Sequence, residues 1–186
     1  MSFVNKWTLG IGFAVTLAVT AAADSGGRRF EVTDDCAPNA DWGANGCLRE
    51  EGEVTRAEFA AANLPNRYPG HPAWRIDPPY VTDGPGSIRA RNTGGRGHTF
   101  TEVARFGGGF IVGLNPPGSL PAEECAIVDS VTGALSPGPS VSATTLAPGA
   151  ELRVDGLAPG THNFQCCIHP WMRTTVKVKA AEDQQQ

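Results

Sequence analysis

Residues 164–173 read FQCCIHPWMR, with Cys166, Cys167, His169 and Met172 inside seven consecutive positions. Phe164 and Cys166 share one parity, and neighbouring residues on a strand face opposite sides of a sheet. Cys166 and Cys167 therefore serve different sides of the chain. Cys166, His169 and Met172 follow the spacing C-x-x-H-x-x-M. A cysteine at a strand end points one way, and a tight loop can fold a histidine and a methionine back onto the same point. Pro170 stiffens that loop through its fixed φ.

The rest of the chain supplies the scaffold for such a loop. Ser87-Ile88-Arg89-Ala90-Arg91, Ala150-Glu151-Leu152-Arg153-Val154 and Val176-Lys177-Val178-Lys179 each alternate with period two. Turn signals at Asp83-Gly84-Pro85-Gly86, Pro148-Gly149 and Pro159-Gly160 separate them. Many short strands with Gly/Pro turns point to an all-β sandwich or barrel. Residues 107–143, rich in Gly, Pro and Ser, read as a long excursion. Within it, Phe106-Gly107-Gly108-Gly109-Phe110 lacks the strand-to-helix setting of a phosphate loop and reads as a flexible turn.

The first part of the 186-residue chain reads differently. Lys6 precedes the apolar run WTLGIGFAVTLAVTAAA, which ends in small residues and meets no acid before Asp24. Residues 1–23 thus read as a secretory signal peptide cleaved near Ala23, in preference to a membrane anchor. Arg28-Arg29 follows the apolar run and is not a twin-arginine signal. Residues 24–75 read as a polar, loop-rich extension with one short helix, about Arg56–Asn63. Thr55 and Glu58 form its capping box, Val54 and Phe59 its staple, and Pro65 stops it. Residues 76–180 form the β domain, and 181–186 read as a disordered tail.

The formal net charge is -4, and loss of Lys6 with the leader makes it -5. Charges of both signs are spread along the chain, without the basic stripe that nucleic-acid binding requires. No second apolar run could span a membrane, so the mature chain reads as soluble, exported to a periplasmic or extracellular space, and monomeric. It holds five cysteines. In an oxidising compartment an odd count leaves one sulfur free or otherwise occupied.

Thiolate, thioether and two imidazoles together suit copper in both oxidation states, and His₂Cys with a weak axial Met is an electron-transfer set. Zinc uses Cys and His but rarely Met. The second imidazole is His98 in Gly97-His98-Thr99-Phe100. With the upstream Asn92, these residues and Phe164–Met172 resemble the copper signature of the cupredoxins, most closely the plastocyanin/amicyanin-like branch. The resemblance spans roughly Pro78 to Lys179. It implies a Greek-key β-sandwich with one type 1 copper on His98, Cys166, His169 and Met172. It also implies a carrier of single electrons between transient protein partners, without catalysis, and a His169 near the surface in an apolar patch with Pro170. Asn92, Thr99, Phe100, Pro170 and Trp171 would surround the ligands. Thr99 stands where many members have Asn, so a hydroxyl would tie the two ligand loops together. With Cys166 on copper, three pairings of Cys36, Cys47, Cys125 and Cys167 remain. The favoured one joins Cys36 to Cys47 and Cys125 to Cys167.

Other chemistries fit less well. Adjacent cysteines form only a strained vicinal disulfide, and C-x-x-C is absent. A dinuclear copper centre needs bridging cysteines several residues apart, and a multicopper oxidase needs more than the four histidines present. His71 reads as a loop histidine and His162 as structural. A module for copper storage, delivery or protection would use the same ligands as an electron carrier, and a copper-free adhesion domain would use none.

Overall fold

Ile88, Ala90 and Asn92 are buried while Arg91 faces solvent, so one strand presents a single face to the interior. The same logic repeats throughout a computed structural model that describes residues 27–38, 42–43, 46–63, 70–83 and 86–180. The leader 1–23, Pro65, the Gly84-Pro85 turn and the tail 181–186 lie outside the described residues. The strands are β1 (Arg29–Thr33), β2 (Arg75–Asp77), β3 (Tyr80–Asp83), β4 (Ile88–Asn92), β5 (His98–Thr99) and β6 (Thr101–Val103). They continue with β7 (Ala126–Val128), β8 (Leu135–Pro137), β9 (Thr145–Leu146), β10 (Glu151–Val154), β11 (Gly160–Gln165) and β12 (Arg173–Val178). Among the described residues the α-helices are α1 (Arg56–Ala62) and α2 (Val141–Thr144).

Two four-stranded sheets form, in the orders β10-β4-β1-β2 and β3-β12-β11-β6. β1 and β2 share one sheet and β11 and β12 the other, and between these pairs the chain alternates from sheet to sheet through β3, β4, β6 and β10, which makes an all-β Greek-key sandwich. Phe30, Ile76 and Ile88 from the first sheet meet Val81, Phe164 and Val176 from the second in one buried cluster. Phe100 joins the layers, stacked on Phe164 at 4.5 Å and tilted against Phe30 at 5.6 Å. A second, smaller cluster gathers Val103, Ala122, Cys125, Val141 and Cys167, so the adjacent cysteines enter different cores.

Three sequence expectations need correction. Residues 24–75 are not only a loop-and-helix extension. The alternation of Arg29-Phe30-Glu31-Val32-Thr33 makes β1 an inner strand, parallel to β4 and antiparallel to β2. Phe30 and Val32 are each 0% exposed. The excursion 107–143 contains a hairpin, with Ala126 opposite Pro137 and Val128 opposite Leu135. Nor is the glycine run at 107–109 a loose turn. A Cβ on Gly109 would stand 1.8 Å from the Cys167 carbonyl oxygen, so glycine here permits close backbone packing.

Helix α1 starts as its sequence dictates. The Thr55 hydroxyl accepts from the Glu58 amide at 3.3 Å, and the Glu58 carboxylate accepts from the Thr55 amide at 2.8 Å. Both satisfy donors that a helix N-terminus otherwise leaves orphaned. The helix carries Phe59 onto Trp42 and Trp74, at ring distances of 5.7 and 4.6 Å.

Because Phe30 is an inner-strand residue that packs on Phe100, Phe30→Ala is expected to destabilise the protein by about 3–5 kcal/mol. Urea unfolding measures this, and a loss below about 1 kcal/mol would contradict a central role for β1.

Candidate metal centre

Strand β11 ends at Gln165, and the chain turns sharply over the next seven residues. The Cys166 amide donates to the Met172 carbonyl at 3.0 Å, and the Met172 amide donates to the His169 carbonyl at 2.9 Å. The loop is thus closed at its base, which returns Met172 to the vicinity of Cys166. Met172 is 1% exposed and belongs to the same buried cluster as Cys166. On the other side, β5 pairs with β9, His98 opposite Leu146, and holds His98 in the interior.

These two segments bring three donors together. Cys166 Sγ lies 3.8 Å from His98 Nδ1 and 3.7 Å from His169 Nδ1. The three donor atoms fall within 4.8 Å of one another, and all three residues are buried. His71 and His162 are not among them. His71 packs on Trp74 at 5.4 Å, and His162 bonds Glu102 at 2.6 Å and the Ala158 carbonyl at 2.8 Å.

The residues around the donors have defined tasks. Asn92 donates to the Arg96 and Leu146 carbonyls at 2.7 and 2.9 Å and accepts from the Gly94 amide at 2.9 Å, pinning the turn before His98. The Thr99 amide donates to Cys166 Sγ at 3.3 Å, and its hydroxyl accepts from the Cys167 amide at 2.7 Å. Phe100 supports this segment by stacking on Phe164. Trp171 Nε1 donates to the Trp74 carbonyl at 3.2 Å, and the Pro170 carbonyl accepts from Arg173 Nε at 2.6 Å. Disulfides join Cys36 to Cys47 and Cys125 to Cys167, leaving Cys166 as the free cysteine.

His169 does not open onto a bare surface patch. It is 7% exposed, and Pro170 is buried as well. Phe59 lies edge-on to its ring at 6.0 Å and Trp171 at 5.5 Å, with Trp74 at 6.5 Å. Phe59 comes from α1 and Trp74 from just before β2, so the N-terminal segment covers this face of the centre.

Sequence reasoning also passed over Asp34, which is 0% exposed immediately after β1. Its Oδ2 lies 2.7 Å from His98 Nε2. The signal for it is faint: an acid directly after an alternating strand, with no motif linking it to a histidine so far along the chain.

The electrostatics follow from this packing. Burial works to raise the Cys166 pKa, but hydrogen bonds and charge from His169 and His98 outweigh it and hold the thiol well below its ordinary value. Burial pulls His98 down, yet the Asp34 and Cys166 hydrogen bonds and charges push it up to about 9. His169 moves the other way: burial dominates and lowers it, helped by the neighbouring His98 charge. Burial raises Asp34, but His98 and the Arg96 and Cys36 amides hold it at about 2.

A buried thiolate with two facing imidazole Nδ1 atoms and a neighbouring methionine is a soft-to-borderline donor set, and it fits copper. No protein-family model matches the chain, and no curated protein matches it. Among solved structures it is similar to a purple cupredoxin from Nitrosopumilus maritimus. That match has 12% identity over 82% of this chain and 99% of that one, with a TM-score of 0.39. It is similar to amicyanin from Paracoccus versutus at 15% identity, over 56% of this chain and 73% of that one, TM-score 0.33. An oxidised proline-to-glycine mutant of amicyanin matches at 12% identity, over 86% of this chain and 88% of that one, TM-score 0.37.

The thiol shift has a direct test in the metal-free protein. A depressed pKa keeps Cys166 ionised above that lowered value and protonates it only as pH falls through it. Ultraviolet thiolate absorption is therefore expected at neutral pH and should be lost in Cys166→Ser. Absorption that grows in only as pH passes the ordinary thiol value of 9.0 would contradict it.

Proposed function

We propose that the chain is an exported type 1 copper protein that carries single electrons, with one copper held by His98, Cys166, His169 and Met172. The observation that carries this reading is the Cys166 sulfur, buried between two imidazole Nδ1 atoms at 3.8 and 3.7 Å. Copper bound there would supply a Cu(I)/Cu(II) couple through a strongly covalent thiolate bond. The chain's own part is to hold the donors before the metal arrives. Thr99 fixes Cys166 against the His98 segment, the closed 166–172 loop fixes His169 and Met172, and the surrounding core excludes water. Rigid donors limit the rearrangement that accompanies a change of oxidation state.

Export agrees with the two disulfides, which persist in oxidising compartments. Among the described residues no helix is long and apolar enough to cross a membrane. Partners would be redox proteins met through small, transient contacts. They would exchange electrons across the cover made by Phe59, Trp74 and Trp171. That cover also favours a second reading, copper storage, delivery or protection, because it closes the side on which His169 would otherwise meet a partner. Rapid electron self-exchange supports the carrier; slow exchange at a filled site supports the module.

The visible spectrum of the copper-loaded protein tests the centre. An intense thiolate-to-copper band is expected on oxidation, bleached on reduction and abolished in Cys166→Ser. Cys167→Ser should keep the band and lose about 2–5 kcal/mol of stability, as removal of a native disulfide does. A colourless Cys167→Ser protein that still holds copper would overturn the division of roles between the two cysteines.

A further inference from the structure

Asp34 is the buried carboxylate that reaches the centre, and its surroundings are built for it. Oδ1 accepts from the Cys36 amide at 3.2 Å and the Gly95 amide at 3.1 Å. Oδ2 accepts from the Arg96 amide at 3.0 Å and from His98 Nε2 at 2.7 Å. The turn that supplies two of these amides closes tightly on the carboxylate: a Cβ on Gly94 would stand 2.1 Å from Asp34 Oδ2. Position 94 must therefore remain glycine for the turn to approach so closely. Behind Asp34, Cys36 is bound to Cys47, and the Arg49 guanidinium donates to the Asp34 carbonyl. Asp34 is thus held through its carboxylate and through its main-chain carbonyl.

The consequence for His98 is specific. In the neutral imidazole that a metal requires, a proton kept on Nε2 and directed at a carboxylate leaves the lone pair on Nδ1, the atom facing Cys166. A partner on the far nitrogen of a metal-bound histidine fixes its tautomer and ring orientation and raises its basicity as a ligand. A backbone carbonyl would provide the orientation alone. A carboxylate adds a buried negative charge, which favours the more positive oxidation state of a metal held at Nδ1.

We infer that Asp34 is a positioning residue that sets His98 and lowers the reduction potential of the centre through its charge. This rests on the copper reading above. Asp34→Asn separates the two contributions, because the amide oxygen can still accept from Nε2 while the charge is gone. The variant should stay blue. In equilibrium with a redox mediator of known potential, it should shift towards the reduced form by tenfold or more, which is 59 mV for one electron.

A merely structural role would lower thermal stability and leave the potential unchanged, and that result overturns the inference. Failure of the wild type to form a blue copper site overturns the copper reading instead, so the two failures are distinguishable. Should Asp34→Asn not fold, the wild type still decides. In the copper(I)-loaded protein, NMR should show a slowly exchanging His98 Nε2–H displaced downfield by its carboxylate acceptor. A rapidly exchanging proton at that nitrogen would overturn the assignment.

Discussion

Thr99 is the residue on which the centre depends, because it joins the two segments that carry the donors. Its amide points at the Cys166 sulfur at 3.3 Å, and its hydroxyl accepts from the Cys167 amide at 2.7 Å. The hydroxyl is itself held by Thr101 at 3.0 Å, and Thr101 is within 2.6 Å of the Thr144 hydroxyl. Each of these groups lies where water is largely excluded, and an unmade bond there would carry a full desolvation cost. A neutral hydroxyl network thus ties β5 to the 166–172 loop. It does so without placing another charge beside the sulfur.

The two adjacent cysteines show how a period-two pattern is put to use. Cys166 turns into the main core with Phe164, Met172 and Val176, and Cys167 turns into the smaller core with Val103, Ala122 and Cys125. One sulfur stays free and the other is locked to Cys125. The disulfide fastens the 107–143 excursion behind the centre, and the close approach at Gly109 lets that excursion lie flat against Cys167. On the opposite side, α1 and Trp74 close over His169. The donors are therefore enclosed by the mid-chain excursion and by the N-terminal segment, which explains why so short a loop is so deeply buried.

Much of this was legible in the sequence because it is local. The alternation at 88–91, 150–154 and 176–179, the capping box at Thr55 and Glu58, and the C-x-x-H-x-x-M spacing each depend on residues a few positions apart. What escaped is tertiary. Arg29–Thr33 alternates too, but its place inside a sheet depends on pairing Phe30 with Ala90 and Val32 with Asn92. Asp34 meets His98 across 64 residues, with no spacing rule to announce it. The cover over His169 depends on where a seven-residue helix lands, and nothing in RAEFAAA states that. The resemblance implies a His169 near the surface in an apolar patch with Pro170, and the N-terminal segment covers that patch with Phe59 and Trp74.

The proposed function places one copper ion jointly on Cys166, His98 and His169. X-ray absorption at the copper edge of the loaded protein tests it most directly, since it counts the sulfur and imidazole neighbours of the metal itself. One short copper–sulfur bond accompanied by two imidazole nitrogens is the expected first shell. A shell made only of nitrogen and oxygen, with no short sulfur distance, would contradict the account.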